Sequence, residues 1–221
     1  DWSSDVCSSD LGTGNYCQAH AVGHAANAFY VYQQVYGSDG KPLEGVFVDR
    51  NGDGQITSDD RYFYKQPTAP WTFGFSSKLQ WKNVDFGFSL RASIGNYVYN
   101  DREAGSSDLS QSTGLWNSSF EYLSNRPKYA FERNWGALSN YSALSDYFVQ
   151  NASFLKCDNI TLGYSFKNIA SAPLSGRVYG SVSNVFTITD YKGIDPEVFG
   201  GIDNTIYPRP ITFLVGLSLN F

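Results

Sequence analysis

Residues 71–94 alternate so strictly that they leave few folds open. Trp71, Phe73, Phe75, Leu79 and Trp81 sit at every second position, with Ser77 the one break, and Thr72, Gly74, Ser76, Lys78 and Gln80 lie between them. After Lys82-Asn83, Val84, Phe86, Phe88, Leu90, Ala92 and Ile94 alternate with Asp85, Gly87, Ser89, Arg91 and Ser93. A period of two sends successive side chains to opposite faces, so this is a hairpin with one apolar and one polar face. Its strands are about twice the usual five or six residues of soluble proteins. The last eleven residues repeat the pattern. Ile211, Phe213, Val215, Leu217, Leu219 and Phe221 alternate with small or polar residues, apart from Leu214. That length is what a tilted strand needs to cross a bilayer, about 9–11 residues. Two arrangements satisfy such strands. A soluble sandwich turns the apolar face to a core; a membrane barrel turns it to lipid and the polar face to the lumen.

Composition narrows the field. Aromatics are 17% of the chain and Met is absent, a Tyr- and Gly-rich profile of β-proteins, and aromatic girdles are common in barrels. No run of eighteen apolar residues is present to form a transmembrane helix, which leaves barrel strands open. The acidic balance argues against nucleic acid. Three cysteines, Cys7, Cys17 and Cys157, make no disulfide framework. Residues 1–11 resemble the translation of a sequencing adapter and are set aside from fold reasoning. Removing their three aspartates takes the net charge from −5 to −2. The expectation is then a native chain over residues 12–221 that continues upstream of Gly12.

Taken in order, residues 12–27 read as loop. Cys17, His20 and His24 have a spacing that suits zinc on a helix, but no fourth ligand is evident and Gly23 weakens a helix, so incidental loop residues are the simpler reading. Residues 28–36 are aromatic and β-branched and predict a strand. Asp49-Arg50-Asn51-Gly52-Asp53-Gly54-Gln55-Ile56-Thr57-Ser58-Asp59-Asp60 matches the D-x-N-x-D-G calcium loop. In that reading Asp49, Asn51 and Asp53 supply side-chain oxygens and Gly54 makes the sharp turn. Gln55 offers its carbonyl, Thr57 reaches the ion directly or through water, and Asp60 closes the site where an EF-hand carries Glu. The alternative is an Asx-rich turn whose side chains cap backbone amides and hold no metal.

Residues 96–151 lack the period of two, with a partly helical piece expected over 117–133, interrupted by Pro127. Their aromatics, including Trp116, Tyr129, Trp135 and Tyr141, either stack on a substrate or partner or pack the loop. Residues 153–166 and 177–189 are further strands. Phe154-Leu155 suggests a bulge near the start of the first. Six strands result. The long connections 37–70, 96–152 and 189–210 fall on one side, and the short turns 82–83 and 167–175 on the other, as a membrane barrel sorts them.

Several segments together resemble the SusC/RagA family of TonB-dependent transporters of Bacteroidetes. They are Val22-Gly23-His24, Phe29-Tyr30-Val31-Tyr32, the 49–56 loop, Ile94-Gly95-Asn96-Tyr97-Val98-Tyr99-Asn100, and Ser153-Phe154-Leu155-Lys156. They continue with Asn159-Ile160-Thr161-Leu162-Gly163-Tyr164, residues 184–197 from Asn184-Val185-Phe186 to Asp195-Pro196-Glu197, and Tyr207-Pro208-Arg209-Pro210. The resemblance implies an all-β chain: about six antiparallel strands from the C-terminal part of a 22-stranded barrel, with long outer loops. Plug and TonB-contacting segments would lie outside it. It implies import of oligosaccharides or peptides, driven through TonB and shared with a SusD-like lipoprotein. It also implies an outer-membrane location and a terminal strand, with Leu217, Leu219 and Phe221, read by the barrel-assembly machinery. No Ser/His/Asp, Cys/His or paired-carboxylate arrangement argues for an enzyme. The rival reading is a secreted, calcium-stabilised β-sandwich for adhesion or display.

Overall fold

The computed structural model describes residues 17–106, 144–167, 174–204 and 207–220. In chain order its elements are β1 (Gln18–Ala19), β2 (Ala28–Tyr32), β3 (Gln34–Tyr36), β4 (Pro42–Phe47), β5 (Arg61–Phe63), β6 (Trp71–Trp81), β7 (Val84–Ile94), β8 (Tyr97–Tyr99), α1 (Asp101–Ser106), β9 (Val149–Asn151), β10 (Phe154–Lys167), β11 (Ser175–Thr189) and β12 (Thr212–Asn220). They form two compact units. The wall unit comprises the described parts of 69–95, 152–190 and 207–221, and the loop unit those of 1–68, 96–151 and 191–206.

The wall unit is one antiparallel sheet in the order β12-β11-β10-β7-β6. Its register aligns the alternation into rows. Trp81, Val84, Tyr164, Val178 and Leu217 form one row, and Leu79, Phe86, Leu162, Gly180 and Val215 the next. This face lies open: Trp71 is 65% exposed and Val215 82%. The opposite face carries Lys78, Gly87, Thr161 and Ser181 in one row and Ser76, Ser89, Asn159 and Ser183 in another. Leu214, the exception in the terminal pattern, pairs with Ser181 on this polar face. The hairpin closes over two residues, with Lys82 at φ 53°. Its ammonium lies 5.0 Å above the Trp81 ring.

The bulge falls later than the sequence suggests. Phe154 and Leu155 merely face opposite sides of a regular strand, the first buried and the second exposed. The break lies between Cys157 and Asn159. There Asp158 is an extra residue against β7, and Asn184-Val185 bulge against it on β11, with Asn184 left-handed at φ 54°. Arg91 holds the Asp158 carboxylate through two bonds, Nε at 2.8 Å and Nη2 at 3.0 Å. A bulge anchored by an ion pair re-aims the strand.

The loop unit corrects two strand assignments. The single strand expected over 28–36 breaks at Gln33 into β2 and β3, which belong to different sheets. β2 pairs with β1 and β5, so the segment 12–27 contributes a buried strand where a plain loop was expected. β3 pairs with β4, and β8 with β9. The wall therefore has five strands, and the expected sixth lies in the loop unit. The loop unit has a core of its own, with Cys17, Phe29, Val31, Tyr32, Phe47, Tyr99, Phe148 and Ile202 all buried. The expected helical piece at 117–133 lies outside the described residues.

Candidate functional site

The calcium-like loop joins β4 to β5 inside the loop unit. Phe47 is buried and anchors its start. Gly52 and Gly54 take φ 77° and 80°, left-handed values that disfavour other residues. The acidic side chains turn back on the loop's amides. The Asp49 carboxylate accepts from Gly52 N at 2.6 Å and Gly54 N at 2.8 Å. Asn51 Oδ1 accepts from Asp53 N at 3.0 Å, and Asp53 Oδ1 from Gln55 N at 2.8 Å. Asn51 Nδ2 donates to Asp53 Oδ2 at 3.1 Å.

Asp60 has a different task. It is fully buried and closes a reciprocal cap with Thr57 on a short 3-10 turn, Ser58–Asp60. Its Oδ2 accepts from Thr57 N at 2.8 Å and its Oδ1 from Arg50 N at 2.8 Å and Asn51 N at 3.4 Å. One carboxylate thus staples both ends of the loop. The Thr57 amide above all, then those of Arg50 and Asn51, hold the Asp60 carboxyl below the usual carboxylate range. A lowered folded pKa means the staple is complete above the open-chain value and begins to be lost below about pH 4. Acid-protease cleavage between Phe47 and Arg61 should therefore set in only below that pH. Asp60→Ala should expose the same loop to trypsin at Arg50 at neutral pH, because three backbone amides lose their acceptor. Equal digestion of variant and parent would refute the staple.

Asp49, Asn51 and Asp53 are thus brought into one hydrogen-bonded series. Gln55 joins it through its amide, while Thr57 and Asp60 form the separate cap. Among the described residues, no group of three or more His, Cys, Asp or Glu side chains is arranged to hold a metal ion. Cys17 lies in the core, where burial pushes its thiol up to about 12, and His24 stacks on Phe63 with ring centroids 3.7 Å apart. Trp116, Tyr129, Trp135, Tyr141 and Phe221 lie outside the described residues. Leu217 and Leu219 sit on the open apolar face of β12.

Sequence reasoning missed the cluster beside the loop. The Arg50 guanidinium lies 4.5 Å over the Tyr62 ring, and Tyr62 donates its hydroxyl to Asp146 Oδ2 at 2.7 Å. Asp146 Oδ1 accepts from Gln34 N at 3.0 Å. Burial pushes the Asp146 carboxyl up, against the lowering by those two bonds. Partners separated by 84 and 112 residues leave no local signal.

No family model matches the sequence. The chain is 51% identical over 214 residues to the TonB-dependent receptor SusC of Bacteroides thetaiotaomicron, covering 95% of this chain and 21% of that protein. It is 27% identical to a TonB-dependent receptor of Formosa agariphila, over 90% of this chain and 22% of the relative. The RagAB peptide importer in its open-open state superposes with a TM-score of 0.69 at 23% identity, over 95% of this chain and 24% of that one. The chain thus spans about a fifth of the length of the curated relatives it matches. Identity of this order to SusC along almost every residue, joined to a wall with the fold found in RagAB, means that the chain belongs to the SusC/RagA family of TonB-dependent receptors.

Proposed function

We propose that the chain forms part of a TonB-dependent transporter of the outer membrane, importing oligosaccharides or peptides together with a SusD-like lipoprotein. The observation that carries this is the open apolar face of the wall. Trp71 and Trp81 bracket β6, and ten steps between them span about 33 Å of strand. At a tilt near 40° that is about 25 Å of height, the band a barrel presents to lipid, with an aromatic at each border. A sandwich would bury this face under a second sheet, and none covers it among the described residues of the unit. The wall's long connections all leave one end of the sheet, where β6, β10 and β12 begin and β7 and β11 end.

Transport on this reading is binding and gating without bond chemistry. The loop unit would contribute to the substrate cavity or to the seam with the lipoprotein. Leu217 and Leu219 would belong to the strand presented to the barrel-assembly machinery. The complete receptor should be extracted from membranes only with detergent, with a lipoprotein bound, and its uptake activity should vanish without TonB. Recovery in the aqueous fraction without detergent would overturn the proposal.

Calcium at the 49–60 loop is part of the same reading. Carboxylate and amide oxygens are the donors this hard cation takes, and Asp49, Asn51 and Asp53 present them from one turn. Asp60 holds amides with both oxygens, so its role in closing the site would draw on its remaining lone pairs. Calcium should slow proteolysis of the loop in the parent receptor, and replacing Asp49 and Asp53 by Ala should remove that protection. Identical protection in parent and variant would exclude a calcium site there.

A further inference from the structure

The apolar face of the wall specifies which side of each strand meets lipid, but not where each strand stops. Sliding β12 by two residues exchanges Phe213, Val215, Leu217 and Leu219 for one another. Sliding β10 by two exchanges Ile160, Leu162 and Tyr164. Lipid is uniform along that face, so the alternation penalises a one-residue slip and is nearly silent about two. The register must be written elsewhere.

We propose that it is written on the polar face, by a strap of side chains that runs from β7 across β10 and β11 to β12 and fits in one register only. Arg177 on β11 reaches over β10 to Asp85 on β7, with Nε 2.9 Å and Nη2 2.5 Å from its two oxygens. The pair lies over Gly163. A Cβ there would stand 2.5 Å from both Arg177 Nη2 and Asp85 Oδ1, so any side chain at this point evicts the strap. The Arg177 guanidinium also sits 4.7 Å from the Tyr179 ring centre, and that ring lies over Gly216 of β12 in the space a Cβ would fill. A two-residue slide of β10 puts Thr161 or Ser165 under the ion pair. A slide of β12 puts Leu214 or Ser218 under the tyrosine. Each glycine is the one gap in its strand's polar row beneath the strap, which makes these two positions the register marks.

The proposal rests on the reading of the wall as membrane-embedded. The test uses the complete receptor in outer membranes, in a Cys157→Ala background. Cysteines replace either Ser89 and Asn159, which face each other in this register, or Ser89 and Thr161, which face each other after a two-residue slide. Oxidation followed by peptide mass mapping reads the pairing. The unaltered strap should give the first cross-link alone. With Gly163→Leu, or with Asp85→Arg set against Arg177, roughly half or more of that cross-link should be lost or move to the second pair. The swap of Asp85→Arg with Arg177→Asp restores the ion pair and should restore the first cross-link, including membrane insertion where the single variant fails to insert. An unchanged first cross-link in both single variants, or a swap that restores nothing, overturns the strap. A parent receptor missing from the membrane would instead overturn the transporter reading.

Discussion

Val215→Arg should empty the outer membrane of assembled receptor, whereas Leu214→Arg, one residue away, should leave it in place. Both are large apolar residues of the same strand at the same depth, and a hydropathy count treats them alike. The register separates them. Val215 stands in the open apolar row beside Gly180, and Leu214 faces Ser181 on the polar side. An arginine at the lipid midplane of a barrel costs about 2–4 kcal/mol, against a total stability of about 5–15 kcal/mol. On the polar face the same side chain stays in water. The assay is the heat-modifiable, folded band in outer-membrane fractions. Equal loss in both variants would mean that the apolar face does not meet lipid.

Phe148→Ala should loosen the loop unit as a whole. Phe148 is fully buried, meeting the Tyr99 ring edge-on at 6.2 Å and the Tyr147 ring at 5.2 Å. Its carbonyl accepts from Asn100 N at 2.8 Å. The core around it collects side chains from segments as distant as Cys17 and Ile202, so one cavity is felt by strands that share no local sequence. Truncating a buried phenylalanine costs about 3–5 kcal/mol. Trypsin should then cut the solubilised receptor rapidly at exposed Lys41, Arg50 and Lys65, while Phe148→Leu shows a smaller effect. An unchanged digestion rate for Phe148→Ala would show that this core does not hold the unit together.

Much of the wall was legible from residue order. The 71–81 and 84–94 strands, their two-residue turn and the apolar face of the last strand all follow from alternation, which needs no knowledge of neighbours. The loop at 49–60 was equally legible as a turn, because Asp, Asn and Gly at fixed offsets bond their own backbone. Its division of labour was not. Asp60 reads in sequence as a twelfth-position ligand, and the fold adds what no local pattern shows, that its carboxylate accepts the Thr57, Arg50 and Asn51 amides. The strand predicted over 28–36 failed for a related reason. Its aromatic and β-branched residues are right for a strand, but only the partners, β1 and β5 on one side and β4 on the other, decide that it breaks at Gln33.

By itself, then, the order of residues determined which segments extend, which face of each is apolar and where the tight turns fall. Those properties depend on neighbours one to four positions away. The tertiary structure alone decided the register of the wall, the bulge at Asp158, the strap from Arg177 to Asp85 and the core that gathers the long connections. Each needs groups to meet that lie up to 185 residues apart, from Cys17 to Ile202 in the core. If the apolar face meets lipid as proposed, it carries parity but no address, and the address would come from polar side chains that only the folded sheet brings within reach.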